Sequence, residues 1–345
     1  MNKLNKLLSF LLLTFSLNGC DVDDSAKYEE TEFFDISDIV IEVGDLVEVG
    51  NVIKDTSKYE IKVSNKKLAY FEDYYIKALQ PGETTLTITQ ETKRQTVKLN
   101  VVESQTYVEP YKFNKEDLKG KNLAVFGDSV TAVATIGNAS ATYSALFAKH
   151  YEMNLLNNYA IGGTTATYTY FGSNIYKEYG DSKTILDGCQ VMYKAYNKKE
   201  LDNVDYAIIA YGHNDQYFKP PVNALNDRDY CTSNTYFSCK SYKGSYRYMI
   251  NVLKKANPNV KIILLNCTYS EYDKANNPSY GSNYNYSDYR YATKQIAIEM
   301  GCKLIDPWDH MKQYYDYGKG NVYYKDTVHL SIQGHKVLAD YIISQ

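Results

Sequence analysis

The sequence predicts an α/β protein with a parallel sheet flanked by helices, preceded by a small all-β unit. Two patterns support this division. From residue 115 onward, short apolar runs alternate with longer helical stretches, and strands separated by helices imply parallel pairing with both faces of the sheet covered. Between residues 33 and 104, apolar and polar residues alternate at period two, which is typical of strands with one buried face.

The first element along the chain is a predicted signal peptide at residues 1–19. Two lysines precede the apolar run at residues 7–13, which is too short to span a membrane. The run ends at Leu17-Asn18-Gly19-Cys20, which resembles a bacterial lipobox, where the cysteine receives a diacylglyceryl group and becomes the new N-terminus. This resemblance predicts lipid attachment at Cys20 and anchoring to a bacterial membrane outside the cytoplasm. The alternative is an ordinary secretory signal with a chance cysteine.

The second element is an acidic stretch at residues 20–32, whose carboxylates and few apolar residues predict an unfolded linker. The alternating segment at residues 33–104 follows and is called here the N-terminal β unit. Its stretch Tyr75–Ile88 combines a strand, a Gly turn and a Thr-rich strand, and resembles the late strands of bacterial Ig-like domains. This unit contains no candidate nucleophile, so we expect a stalk or a glycan contact, or a passive spacer.

The third element is a linker at residues 105–114, followed by the α/β domain at residues 115–345. Each unit has its own predicted core, so we expect the α/β domain to fold without the N-terminal β unit. The predicted strands of the domain are Leu123–Phe126, Tyr206–Ala210, Val260–Leu265 and Lys303–Ile305, and its predicted helices include Tyr242–Lys255, Tyr286–Met300 and Ser331–Ser344.

Composition excludes some functions. Loss of Lys3 and Lys6 with the signal peptide takes the formal net charge from −3 to −5, so no basic surface for nucleic acid is predicted. The chain has 37 tyrosines, which would suit a wet binding surface but which also fit a general compositional bias toward Lys, Asn and Tyr. No nucleotide-binding, zinc-peptidase or C-x-x-C motif occurs, and we predict neither a cofactor nor a metal.

Four short motifs lie where the chemistry of open α/β folds is placed, at strand ends or before a helix. Gly127-Asp128-Ser129-Val130 directly follows a predicted buried strand. Gly162-Gly163 and Gly212-His213-Asn214-Asp215 come next along the chain, and Asp326-Thr327-Val328-His329 precedes the last helix. A single short motif of this kind would be weak evidence, but four of them in order are a specific signal.

These motifs resemble the four sequence blocks of the SGNH (GDSL-type) hydrolases, which carry Ser, Gly, Asn and His in that order. The resemblance covers residues 115–345 and implies a flavodoxin-like fold, with Val130 as its one departure, where Leu or Ile is usual. It implies Ser129 as nucleophile, His329 as base and Asp326 as the group that orients the base. It further implies an oxyanion hole formed by the N–H groups of Ser129 and Gly163 and the Asn214 amide. Two acidic residues, Asp128 and Asp215, are expected to brace these loops.

The residues themselves support these roles. A serine hydroxyl is a weak nucleophile, so acyl transfer needs a base within hydrogen-bond reach and a third group that orients the base. Asp326 precedes His329 by three residues, a spacing that lets the carboxylate reach one imidazole nitrogen while the other faces Ser129. His335 is the rival base, but its place inside the last helix favours a surface or core histidine. His213 is a candidate to line the site.

Cysteine spacing adds one more prediction. Cys231 and Cys239 bracket a short polar loop beyond the Asn214 motif, and in an oxidising compartment they could form a disulfide near the site.

The sequence therefore predicts a cell-surface serine esterase that hydrolyses acyl esters, acetyl esters of carbohydrate in particular. The preference for carbohydrate depends on the absence of a long apolar segment suited to lipid chains and on the tyrosines and asparagines of residues 168–179 and 280–289. The alternatives are a lipid esterase or thioesterase of the same fold, or a surface-binding lipoprotein without turnover.

Overall fold

The computed structural model describes residues 28–50, 52–72, 74–167, 187–218, 220–225, 239, 241–271 and 285–345. The predicted signal peptide, the lipid-attachment candidate Cys20 and the disulfide candidate Cys231 therefore lie outside the described residues. Within them, no helix combines the length and the apolar character needed to cross a membrane.

The N-terminal β unit consists of two sheets that enclose one apolar core. The period-two alternation predicted from the sequence is seen in the long hairpin of its last two strands, where Leu86 and Ile88 are buried in one strand and every second residue from Gln95 to Val101 is buried in the other. The Ig-like assignment of this unit stays a prediction. The strands in this part of the chain are β1 Glu29–Glu30, which precedes the unit, and β2 Ile39–Glu42, β3 Leu46–Glu48, β4 Glu60–Val63, β5 Ala69–Glu72, β6 Tyr75–Ala78, β7 Gly82–Gln90 and β8 Lys93–Val102 within it, with a 3₁₀ turn at Thr56–Lys58.

The two sheets differ in their strand pairing. One contains β4, β7 and β8, with β1 and β2 pairing parallel to β8. The other contains β5, β6 and β3 and receives a fourth strand from the α/β domain. Strand β1 lies in the stretch predicted to be an unfolded linker. Glu29 and Glu30 pair with β8, and Glu30 forms an ion pair with Arg94 (2.6 Å). These two acidic residues are therefore part of a sheet, which composition could not indicate.

The α/β domain is built on a five-stranded sheet in which every strand pair is parallel, as the sequence predicts. The strand order is β10-β9-β11-β13-β14. The strands of the domain are β9 Asn122–Gly127, β10 Asn154–Asn158, β11 Tyr206–Ala210, β12 Asn223–Ala224, β13 Lys261–Leu265 and β14 Lys303–Ile305.

Helices cover both faces of this sheet because successive side chains of its strands point to opposite faces. In β9, Leu123 and Val125 belong to one buried cluster, whereas Ala124 and Phe126 belong to the other. The helices are α1 Lys115–Leu118, α2 Val133–Ile136, α3 Tyr143–His150, α4 Gly188–Asn197, α5 His213–Phe218, α6 Tyr242–Ala256, α7 Tyr286–Met300, α8 Trp308–Lys312 and α9 Ile332–Ile343, with a 3₁₀ turn at Ala139–Ala141.

Side-chain caps fix where the long helices begin. Asp187, Ser241 and Ser331 each accept a backbone N–H from the first turn of α4, α6 and α9, and Asn285 with Asp288 forms a capping box at the start of α7. Such caps satisfy donors that a helix start leaves without an intrahelical partner. The cap at Ser331 begins α9 just after His329, so that histidine lies in the loop before the helix.

The strand order places β9 at a topological switch point. The chain passes from β9 to β10 on one side and then crosses to β11 on the other side of β9. Ligands of open α/β sheets bind at the carboxyl ends of the strands beside such a point. Ser129, two residues beyond the end of β9, lies at that position.

Candidate active site

The turn that carries Ser129 is held by Asp128. The buried Asp128 carboxylate accepts the N–H of Val130 (3.0 Å), and the Asp128 carbonyl accepts the N–H groups of Thr131 and Ala132 (3.1 and 3.0 Å). Gly127 precedes this turn at a point of close approach. A Cβ there would stand 2.6 Å from the Ala210 carbonyl oxygen, so no larger residue fits without a shift of the backbone.

The structure brings Ser129, His329 and Asp326 together. The Ser129 hydroxyl lies 2.8 Å from His329 Nε2, and His329 Nδ1 lies 2.7 Å from Asp326 Oδ2. A carboxylate at Nδ1 fixes the tautomer in which Nδ1 donates to Asp326 and Nε2 accepts the serine proton. This arrangement can deprotonate Ser129 and stabilise the imidazolium that forms.

Backbone N–H groups of its own loop hold the Asp326 carboxylate in place. Its second carboxylate oxygen accepts the N–H groups of Val328 and His329 (2.8 and 2.7 Å). Partial burial alone would raise the pKa of Asp326, but the donations from His329 and Val328 outweigh this effect and lower the pKa. The carboxylate is thus ionised at neutral pH.

His335 lies in the core, as the sequence analysis favoured. Its side chain is 1% exposed, its Nδ1 accepts the Tyr143 N–H (3.2 Å), and its ring stacks on that of Tyr143. Burial lowers the pKa of His335 to about 4. This histidine therefore packs α9 against α3 and has no contact with Ser129.

The Gly162-Gly163 loop lies against the nucleophile. A Cβ built on Gly162 would stand 3.8 Å from Ser129 Cβ, and Gly163 has a φ of 80°, in the left-handed region that favours glycine. The loop is tied to the end of β9, because the Gly127 carbonyl accepts the Ile161 N–H (3.1 Å) and the Thr164 hydroxyl (3.3 Å).

Asn214 connects this loop to α5. Its side-chain Nδ2 donates to the Thr164 carbonyl (2.9 Å), which uses one of the two amide N–H groups and fixes the orientation of the amide. The amide has a second N–H group, which is the predicted donor to the oxyanion. Sequence reasoning placed Asn214 in this site but gave no indication of Thr164 as its partner.

Asp215 ties α5 to the residues that follow the Gly162-Gly163 loop. Its buried carboxylate accepts the N–H groups of Ala166 (2.8 Å) and Thr167 (3.3 Å) and the Thr167 hydroxyl (3.1 Å). Burial raises the pKa of Asp215 to about 7, against the opposing effect of these donors. The sequence analysis expected Asp215 to brace these loops, and these contacts show which groups it holds.

We expect replacement of Asp215 by alanine to destabilise the fold by about 2–4 kcal/mol, because buried backbone N–H groups lose their acceptor. Asp202→Ala, which removes an exposed aspartate, is the control. Urea unfolding followed by far-UV circular dichroism measures both variants.

The same variant tests the raised pKa. Since the pKa of Asp215 in the folded state, about 7, exceeds its ordinary value of 3.8, folding takes up a proton between these pH values. The stability that Asp215 contributes therefore decreases as the pH rises through this window. Asp215→Ala should cost more free energy of unfolding at pH 5 than at pH 8, and an equal cost would contradict the assigned pKa.

His213 is the residue that the sequence proposed as lining the site, and its contacts could not be inferred from the sequence. Its backbone N–H donates to Asp128 Oδ2 (3.3 Å), its Nδ1 lies 3.6 Å from the same oxygen, and its Nε2 lies 3.1 Å from the Thr268 carbonyl oxygen. Burial of the ring disfavours the imidazolium, but the neighbouring Cys267 sulfur and Asp128 carboxylate outweigh this and raise the pKa of His213. His213 thus joins the Ser129 turn to the loop after β13, and its lining of the site stays a prediction.

The remaining candidates concern metal ions and the disulfide. Within the part of the chain that the structure describes, no group of His, Cys, Asp and Glu side chains could hold a metal ion. Cys239 is buried, but its predicted partner Cys231 lies outside the described residues. The disulfide stays a prediction.

Comparison with known families gives a match over the whole region that carries the site. The model of the GDSL-like Lipase/Acylhydrolase family matches residues 125–337. The chain belongs to this family. It is accordingly an ester hydrolase with the SGNH-type α/β fold, and its family region contains all four sequence blocks named above.

Solved structures that resemble this GDSL-like hydrolase are distant. A Lactobacillus plantarum protein shares 20% identity over 66% of this chain and 96% of its own, with a TM-score of 0.46. The lipase/acylhydrolase from Enterococcus faecalis shares 15% identity over 65% and 94% of the two chains, with a TM-score of 0.41. A catalytic mutant of an acetylxylan esterase from Geobacillus stearothermophilus shares 18% identity over 66% of this chain and 94% of its own, with a TM-score of 0.40. No curated protein matches the sequence.

Proposed function

We propose that this GDSL-like hydrolase is a serine esterase that removes acyl groups, acetyl groups in particular, from carbohydrate through an acyl-enzyme. The observation that carries the proposal is the pair of hydrogen bonds from Ser129 through His329 to Asp326, next to a loop with glycine at 162 and 163. These three residues are the proposed nucleophile, base and orienting group.

In the first half of the reaction, His329 Nε2 takes the Ser129 proton while Oγ attacks the ester carbonyl carbon. The tetrahedral oxyanion accepts hydrogen bonds from the N–H groups of Ser129 and Gly163 and from the Asn214 amide. Collapse of the intermediate breaks the bond to the alcohol oxygen, which leaves with the proton from His329.

In the second half, His329 takes a proton from water, and the resulting hydroxide oxygen attacks the acyl-enzyme. The second intermediate collapses, Ser129 recovers its proton from His329, and the carboxylic acid is released. Asp326 stays ionised throughout and stabilises the imidazolium in each half.

A carbohydrate substrate is supported by the surroundings of the catalytic loop. The Ser270 hydroxyl donates to the Thr327 carbonyl inside that loop (2.9 Å), and the neighbouring Tyr269 ring contacts those of Trp308 and Tyr315, each pair of centroids 5.1 Å apart. All three rings are half-buried. Aromatic rings with polar edges suit a wet binding surface and do not form the continuous apolar wall that a long acyl chain needs.

One part of the sequence-based argument for carbohydrate is weaker than expected. Most of residues 168–179 and 280–289 lie outside the described residues, and two tyrosines of the second stretch, Tyr286 and Tyr289, are buried in the α/β domain. Those two rings pack the core and are not available to a sugar.

A panel of esters tests the substrate class. The proposal expects the purified enzyme to cleave p-nitrophenyl acetate and to release acetate from acetylated xylan, with rates that decrease as the acyl chain lengthens. Ser129→Ala is the matched control for background hydrolysis. Faster cleavage of the dodecanoyl ester or of an acyl thioester would favour the lipid-esterase or thioesterase alternative, and no turnover of any ester would favour a binding lipoprotein.

We also propose that the enzyme is anchored to a bacterial membrane through a lipid on Cys20. Each buried methylene of an acyl chain contributes about 0.8 kcal/mol, and two or three chains together give stable anchoring. We expect Cys20→Ala to move the protein from the membrane fraction to the soluble extracytoplasmic fraction.

Fractionation with an antibody measures this shift, and Ser16→Ala, a change within the signal peptide that leaves the cysteine, is its control. An N-terminal peptide that carries unmodified Cys20 in mass spectrometry, or cleavage at another position, would contradict the anchor.

A further inference from the structure

The N-terminal β unit and the α/β domain share a sheet. Strand β12 of the α/β domain pairs parallel to β3 of the N-terminal β unit, with Asn223 opposite Val47 and Ala224 opposite Glu48. The Leu225 N–H extends the pairing by donating to the Glu48 carbonyl (3.2 Å). If a flexible linker were the only connection between the two units, a strand of one would not pair with the sheet of the other.

The segment of residues 220–225, called here the strap, contributes a side chain to each core. Val222 is 7% exposed and packs in the core of the α/β domain, whereas Leu225 is 2% exposed and packs in the core of the N-terminal β unit. The strap therefore buries apolar surface on both sides of the boundary. Separation of the two units would expose Leu225 and the core that surrounds it.

Hydrogen bonds to the strap carbonyls hold the strap to two helices of the α/β domain. The Tyr242 N–H donates to the Pro221 carbonyl (2.8 Å) and the Lys243 N–H to the Val222 carbonyl (3.0 Å), both at the start of α6. The Tyr289 hydroxyl of α7 donates to the Pro220 carbonyl (2.6 Å). The strap is thus fixed on the α/β side before it reaches β3.

A buried polar cluster reinforces the same boundary. Lys243 Nζ lies 3.7 Å from Asp45 Oδ1 and donates to Gln295 Oε1 (3.2 Å), and Gln295 Nε2 donates in turn to Asp45 Oδ1 and to Glu42 Oε2 (3.0 Å each). Asp45, Lys243 and Gln295 are all buried. Burial of charged groups is tolerated only where partners satisfy them, and here each unit supplies partners for the other.

The strap begins two residues after α5, whose first turn contains Asn214 and Asp215. We propose that the N-terminal β unit is an integral part of the hydrolase fold and that, by pairing with the strap, it positions α5 and hence the Asn214 amide. Leu225 is the positioning residue of this contact. These contacts oppose the sequence-based expectation that the α/β domain folds without the N-terminal β unit.

The single tryptophan of the chain, Trp308, provides a local probe of the α/β domain. In the full chain, Leu86→Ala removes a fully buried side chain from the N-terminal core, whereas Leu79→Ala removes a 38% exposed leucine from the same unit. If the two units unfold as one, Leu86→Ala should lower the midpoint of the Trp308 fluorescence transition by about 5 °C, and Leu79→Ala should leave it unchanged. A Trp308 transition that does not move with Leu86→Ala overturns the proposal.

Kinetics test the positioning part, which rests on the proposed function. At a temperature well below every transition, Leu225→Ala should lower kcat on p-nitrophenyl acetate about 10-fold with little change in KM, because the ester still binds but the oxyanion donor is displaced. Leu225→Met, which keeps the volume, should restore kcat, and Leu86→Ala should not lower it. An unchanged kcat in Leu225→Ala overturns the positioning role. A wild-type enzyme without esterase activity would instead contradict the proposed function, and the Trp308 unfolding result would still test whether the two units unfold as one.

Discussion

Ser129→Ala and His329→Ala should each reduce kcat/KM on p-nitrophenyl acetate by about 10⁴- to 10⁶-fold. Each variant breaks the 2.8 Å hydrogen bond between Ser129 Oγ and His329 Nε2, which is the proposed path of the first proton transfer. Because the nucleophile and its base act as a unit, the double variant should be little worse than either single one. Initial rates of p-nitrophenol release measure all three variants.

The matched control for this prediction is His335→Asn, in which the amide oxygen can replace the ring nitrogen that accepts the Tyr143 N–H. This variant should keep most of the activity, and thermal unfolding should show that all variants remain folded. If His329→Ala stayed active while a folded His335→Asn variant lost its activity, the assignment of His329 as base would be wrong.

The parallel sheet was predictable because its central strands are short and mostly apolar. Strands β9, β11 and β13 each contain an apolar run bounded by turn residues, and the structure places them side by side in the middle of the sheet. Strand β10 has no such signal. This strand, Asn154–Asn158, is mostly polar and its side chains are largely exposed. It lies at the edge of the sheet, where backbone hydrogen bonds to one neighbour hold it and no buried apolar face is needed.

The candidate site was predictable where its contacts are local in sequence. Asp326 and His329 are three residues apart, so their pairing could be inferred from spacing alone. The links of His213 to Thr268 and of Asp215 to Ala166 join residues about 50 positions apart, and each depends on where the sheet brings two loops. No local pattern encodes such pairs.

The strap shows the same limit at the level of domains. Strand β12 has only two residues, and its partner β3 lies more than 170 positions earlier in the chain. Periodicity cannot indicate a strand of that length. The sequence therefore predicted two units with separate cores, and the contact that joins them was found only in the structure.

Asn214→Ala should lower kcat on p-nitrophenyl acetate by about 10²- to 10³-fold with little change in KM, because in the proposed mechanism its amide donates mainly to the oxyanion of the transition state. The Thr164 carbonyl holds one amide N–H at 2.9 Å and so presents the other in a fixed direction, which lets the donor act without reorganisation. Asn214→Asp keeps the shape but replaces the donor with an acceptor, so it should be at least as slow as Asn214→Ala. Steady-state kinetics of both variants measure the effect.

A transition-state analogue separates loss of the oxyanion donor from a general disturbance of the site. A boronic acid that forms a tetrahedral adduct on Ser129 should bind Asn214→Ala more weakly, in parallel with the loss in kcat/KM, because the adduct carries the oxygen that the amide would contact. The free alcohol product, which lacks that oxygen, should bind the variant and the wild type equally. Parallel losses for both ligands would indicate a displaced loop, and an unchanged kcat would show that Asn214 takes no part in the oxyanion hole.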